Sequence, residues 1–217
     1  MSEIPLFPLN VVLMPGMPMP LHIFEERYKQ MVDECLEHSS EFGMVLADDS
    51  GTRSIGCTAR IVELVQRYED GRIVILVEGS RRFKLNSIAT DKAYYVGDIE
   101  YLEDEVVEKD ISDLAEECIA LLERVIAAAT DGDVGINIEA PYRNLSFAIA
   151  GRIEFDLETR QRVLELPTEE GRLQKVRELL TEAAEKLERD KRARDKAETN
   201  GHVRGDWKPS KGDGGEG

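Results

Sequence analysis

The chain has 217 residues, 41% of them hydrophobic and 33% charged. That is enough to bury a core in one large domain or two small ones, and too apolar for an intrinsically disordered chain. A formal net charge of −16 argues against a nucleic-acid backbone as partner, because binding one means neutralising phosphates with Lys and Arg, and against an anionic membrane surface.

Residues Ile4 to Leu21 carry no charge, but five prolines in that window exclude an uninterrupted membrane helix. Met1-Ser2-Glu3 lacks the basic start of a secretory signal, so a cytoplasmic location is expected. Each proline between Met14 and Pro20 fixes its own φ and pushes the preceding residue extended, so this stretch is expected to cross the surface as stiff, non-helical chain. Phe24, Tyr28, Met31, Val32, Cys35 and Leu36 then recur at helical spacing and predict one amphipathic helix.

Five segments read as strands: Phe42–Ala47, Cys57–Val65, Arg72–Gly79, Arg81–Ile88 and Tyr94–Leu102. They are short, rich in β-branched or aromatic residues, and separated by turn signals at Asp48–Gly51, Asp70-Gly71 and Gly79-Ser80. With almost no helix between them, they predict a compact antiparallel or mixed barrel.

Past Asp104-Glu105 the texture turns helical. Asp110 is the expected N-cap of a helix reaching about Ala129, with Leu114, Cys118, Leu121, Leu122 and Val125 on its apolar side. Arg143 to Ile153 is apolar on most sides and expected buried. A third helix starts near Asp156 and ends before Pro167; Thr168 opens a fourth, striped by Leu173, Val176, Leu180, Ala183 and Leu187. That stripe spans about two heptads, too few for a coiled coil, and is expected to pack on its neighbours. The expected organisation is a β-rich subdomain at 1–105, a helical bundle at 106–196 and a disordered acidic, glycine-rich tail at 197–217.

Signatures of chemistry are missing. No phosphate-binding glycine loop and no G-x-S-x-G occurs. Asp131–Ile136 fails as a calcium loop, because Gly135 stands where an oxygen ligand is needed. Arg204-Gly205-Asp206 reads as a chance tripeptide. The paired carboxylates Asp48-Asp49 and Glu169-Glu170 read as solvated turn or helix-start residues. Cys35, Cys57 and Cys118, an odd number and widely spaced, form no disulfide framework and read as small buried apolar residues. Neither metal nor cofactor is assigned. His22 reads as structural.

"IPLFPL" (Ile4–Leu9) followed by "MPGMPMPLHIFEERY" (Met14–Tyr28) carries a resemblance. So do "IGCTARI" (Ile55–Ile61), "VEGSRRFKL" (Val77–Leu85) and "RQRVLELPTEEGRLQKV" (Arg160–Val176). In this order they resemble the N-terminal substrate-recognition domain of ATP-dependent Lon proteases, and especially its free-standing relatives, from Ile4 to about Leu187. The resemblance implies an α+β fold: a PUA-like β-barrel subdomain with one packed helix, followed by an α-helical bundle. It implies a non-catalytic module that binds unfolded or hydrophobic polypeptide segments as an adaptor or holdase, since the ATPase and serine–lysine peptidase modules of the proteases have no counterpart here. Met14, Met17, Met19, Leu21 and Phe24 are the candidate peptide-binding residues, because unbranched, polarizable methionines re-pack around varied partners. An alternative is a scaffold that docks one folded partner through its helical half. RNA binding, known among PUA-type folds, is disfavoured by the acidity. The oligomeric state is open.

Overall fold

The computed structural model describes residues 2–105, 110–130 and 144–202. Asp131–Ile136, Arg143, Arg204–Asp206 and most of the expected tail lie outside the described residues.

Six strands form one mixed sheet: β1 (Ser2–Leu9), β2 (Pro18–Ile23), β3 (Phe42–Asp48), β4 (Gly51–Arg67), β5 (Ile73–Ala89) and β6 (Tyr95–Tyr101). Their order is β2-β5-β4-β3-β1-β6, with β5 also paired to β6. The long β5 makes this possible. Its first half pairs with β2 on one side and distal β4 on the other, while its second half pairs with β6. The β5–β4–β3–β1–β6 run thus closes on itself, and register shifts along β4 and β5 supply the curvature. β1 and β3 are parallel, the other pairs antiparallel.

Two expectations are corrected here. Gly79-Ser80 is no turn: β5 runs through it. Prolines hid two strands, β1 and β2, from the sequence pattern; β2 lies at the sheet edge, and in β1 Pro5 stands where only β6 pairs and Pro8 where only β3 does, which leaves each proline one side without a strand partner.

Inside the ring sits a small core of Ile4, Leu6, Val45, Phe83 and Ile99. It closes because glycine faces the Phe83 ring: a Cβ on Gly56 would lie 2.6 Å from Phe83 Cζ and overlap the Met44 carbonyl oxygen. A second, larger core joins the strands to the helices.

Helix α1 (Glu26–His38) buries Tyr28, Met31, Val32 and Cys35 in that larger core, with Tyr28 stacked 4.2 Å from the Phe7 ring. It ends at Ser39, whose left-handed φ of 51° lets its N–H reach the Leu36 carbonyl. Phe24 precedes the helix and is exposed, so it does not belong to the apolar face that its spacing predicted.

The helical half comprises α2 (Ser112–Thr130), α3 (Leu145–Ala150), α4 (Leu157–Glu165) and α5 (Glu169–His202). Asp110 sits one residue further out than a cap, accepting from the Ser112 N–H at 2.9 Å. Asp156 caps α4 through the Thr159 N–H, and Thr168 Oγ accepts from the Gly171 N–H at the start of α5. Leu173, Val176 and Leu180 are buried, with α5 packed against α2, as the short stripe predicts. All three cysteines are buried and free.

Candidate functional site

The opening stretch folds into a turn. Pro15 and Gly16 occupy its centre, Gly16 has φ +74°, and Met17 N–H donates to the Met14 carbonyl at 3.0 Å. These are the residues a type II turn requires. The turn is seated on mid-β5: Gly16 N–H donates to the Gly79 carbonyl at 2.8 Å and Gly79 N–H to the Met17 carbonyl at 3.0 Å. Any Cβ on Gly79 would overlap the Met14 carbonyl oxygen. Glycine inside β5 therefore serves close backbone approach.

This seating separates the five candidate residues. Met14 is fully buried and Leu21 nearly so. Met17 and Met19 are half-buried against the larger core. Met17 lies beside Gly151 of the helical half, its Cγ 3.7 Å from where a Cβ there would stand, and Met19 pairs across the sheet with Val77, one of the buried β5 residues. Phe24 alone is openly exposed, at 65%. His22, opposite Val74, is exposed as well.

Beside this stretch, distal β4 (residues 60–67), the first half of β5 and β2 make a three-stranded arm. Ile73, Ile75, Val77, Leu21 and Ile23 bury one face of it. Val62, Leu64, Val65 and Tyr68 on β4 and its turn remain exposed, Val65 at 52%. An exposed cluster of this kind, unlike scattered single residues, makes the arm a candidate interaction surface.

The arm's two edges differ. On β2, Pro18 and Pro20 have no N–H to offer a new strand. On β4, pairing with β3 stops at Ala59, and among the described residues no strand pairs with the outer edge of residues 60–67.

The seam between the halves holds a different arrangement. Arg172, at 0% exposure, donates to Ser146 Oγ, to both Asp104 carboxylate oxygens, to Glu169 Oε2 at 2.7 Å and to the Leu166 carbonyl at 3.0 Å. Its guanidinium also lies 4.4 Å over the Phe147 ring. Arg82 donates to the Leu164 and Leu166 carbonyls, both at 2.9 Å, and to Asp104 at 2.6 Å. Ser146 supplies its N–H and hydroxyl to Glu169, each at 2.8 Å.

Glu169 is therefore buried and paired, correcting the expectation of a solvated helix start. Burial pushes its carboxyl above the ordinary value, outweighing the donors of Ser146 and Arg172. Burial also pushes Asp104 up, but the Arg172 and Arg82 guanidinium groups together hold it below its ordinary value. Next to this network is a cavity of about 220 Å³ lined by Arg81, Arg82, Glu103, Asp104, Asn144 and Phe147. The network's donors are spent on protein acceptors, which suits a structural joint better than a ligand site.

Residues 3–182 match the family described as the ATP-dependent protease La (LON) substrate-binding domain. The chain is 28% identical to the Lon protease of Anaeromyxobacter dehalogenans over 204 residues, covering 86% of this chain and 24% of that protein. It is 23% identical to the Lon protease of Escherichia coli K12 over 216 residues, covering 89% and 26% respectively. It thus spans about a quarter of the length of the curated relatives it matches. A solved structure titled as a Lon N-terminal domain protein from Xanthomonas campestris aligns with TM-score 0.63 and 26% identity, over 81% of this chain and 97% of that one. The N-terminal domain of the Mycobacterium avium complex Lon protease, at 16% identity and TM-score 0.63, shares the fold over 85% and 98% of the two chains. No helix among the described residues is long and apolar enough to cross a membrane.

Proposed function

The chain belongs to the LON substrate-binding domain family, and on that premise we propose that it is a non-catalytic module that binds unfolded or apolar polypeptide segments in the cytoplasm, as an adaptor or holdase. The observation that carries this reading is the exposed apolar group on the arm, Val62, Leu64, Val65 and Tyr68, with Phe24 beyond the end of β2. Met17 and Met19 support the surface from its half-buried side, while Met14 and Leu21 hold the turn and β2 in place from beneath. A pre-formed sheet suits the task, because little order is imposed on the protein when a segment binds.

The test is titration of the purified protein with a reduced, carboxymethylated unfolded polypeptide, comparing wild type with Phe24→Asp and Val65→Asp. Binding by wild type and weaker binding by both variants, with cooperative melting retained, is expected. Absence of binding by wild type sinks the reading. A single stoichiometric folded partner captured through α2 and α5 would favour the scaffold alternative instead.

A further inference from the structure

The open edge of β4 faces a lane whose other wall is α1. At one end the Arg67 guanidinium meets Asp33 of α1 at 2.6 Å; at the other, Phe42 of β3 pairs with Ala59. Lys29, whose ammonium approaches Gly71 at the tip of the arm, shares one flank of α1 with Asp33 and Leu36, at positions i, i+4 and i+7. That flank therefore looks toward the arm, and Leu36, 37% exposed, stands on it one turn beyond Asp33. Of the seven large hydrophobic residues exposed among the described residues, five border this lane: Leu36, Val62, Leu64, Val65 and Tyr68. Such a concentration requires a common cause.

The lane's charges point the same way. Arg67 is already paired with Asp33, and Arg60 with Glu78 at 3.2 Å. Glu37 on α1, Glu63 on β4 and Glu41 at the foot of β3 have no ion-pair partner among the described residues. One carboxylate oxygen of Glu41 is buried without any hydrogen bond. Uncompensated charge around the lane is thus negative, on a chain whose net charge is −16.

We propose that this lane takes an extended polypeptide segment in which apolar residues alternate with Lys or Arg, laid against β4 where β3 leaves off. This rests on the polypeptide-binding reading above and names the class of segment. Backbone groups of the segment meet the N–H and C=O groups of β4 beyond Ala59 that no strand pairs with among the described residues. Apolar side chains cover Leu36 of α1 and Leu64, which shares the sheet face of Ile75, and the alternate, cationic ones point to the other face, where Glu63 stands opposite Leu76. The register shifts at Val62 and Val65 limit pairing to a short run, which keeps the edge from zipping onto a long flat strand of another copy.

Three labelled octapeptides test this: an alternating valine–lysine sequence, its valine–glutamate counterpart, and the valine–lysine sequence N-methylated at alternate positions. Each is titrated into wild type and Glu63→Gln, beside the unfolded polypeptide used above. The lysine peptide should bind best, and at least ten-fold better than the methylated one. Glu63→Gln should weaken it about three-fold, as loss of one exposed charge pair predicts, with the difference fading in added salt. Equal binding of all three peptides, or unchanged binding by Glu63→Gln, overturns the lane while binding of the unfolded polypeptide leaves the broader reading standing. No binding of any probe, the unfolded polypeptide included, brings down both.

Discussion

At the seam, the charges of Arg82, Arg172, Asp104 and Glu169 are buried and matched almost atom for atom by protein partners. Along the arm and the facing flank of α1, Glu37 and Glu63 have no ion-pair partner among the described residues, no described strand pairs with the outer edge of residues 60–67, and five large apolar side chains are exposed. Buried charge must be satisfied within the fold, because an orphaned ion in a low-dielectric interior is costly. Exposed groups are under no such demand and remain available to something else. The seam, although richer in titratable groups and next to a cavity, accordingly reads as a joint; the plainer arm is the proposed working surface.

Substitutions can break this contrast, and their expected effects fall in order. Arg172→Met leaves buried Glu169 without its cation and Asp104 with Arg82 alone, and should cost about 3–5 kcal/mol of unfolding free energy in urea titrations. A loss below 1 kcal/mol would show that the joint is not what holds the halves together. Gly79→Ala drives a methyl into the Met14 carbonyl oxygen and should cost about 1–3 kcal/mol through displacement of the opening turn. Near-neutral behaviour would mean that the turn is not seated on β5.

The seam should also show in acid. Asp104 is held below its ordinary value, so its contribution is complete above that value and is lost as pH falls through the depressed one. Glu169, raised by burial, works in the opposite sense: its charged form is disfavoured in the fold, and protonation between its ordinary and raised values relieves that cost. Below about pH 4 Asp104 is the seam carboxylate still losing its charge, so the acid-side fall in stability should be shallower in Asp104→Asn than in wild type. Parallel curves would remove Asp104 as a source of acid sensitivity. On the arm, Phe24→Asp should change stability by less than about 0.5 kcal/mol and yet weaken binding of unfolded polypeptide. A large loss of stability there would show that Phe24 is structural after all.

Local pattern made much of the fold legible. The period-two alternation from Arg82 to Ser87 marks β5, and the turn residues Asp70-Gly71 mark the tip of the arm. The caps at Asp156 and Thr168 place α4 and α5 within one residue. Long-range geometry was less accessible. Gly79-Ser80 looks like a turn because glycine commonly breaks strands, whereas here it admits the Met14 carbonyl, a neighbour 65 positions away in the chain. Arg82, Asp104 and Arg172 come from three separate segments, and nothing local distinguishes them from surface charges. Among the candidate site residues, the proline spacing marks a non-helical segment around Met14, Met17 and Met19, which folds into a turn and then β2. It does not reveal which side chains turn inward, since that depends on the pairing of β2 with β5. Val62, Leu64 and Val65 read as ordinary strand residues; their exposure follows from where β3 ends, which no pattern within β4 records.

The most direct test is amide hydrogen exchange of the intact protein with and without saturating unfolded polypeptide. New protection concentrated in residues 60–67 and around Phe24, with exchange unchanged at Ser146 and Glu169–Leu173, is the predicted result. Protection confined to α2 and α5, with the arm exchanging as in the free protein, would contradict it and place recognition on the helical half.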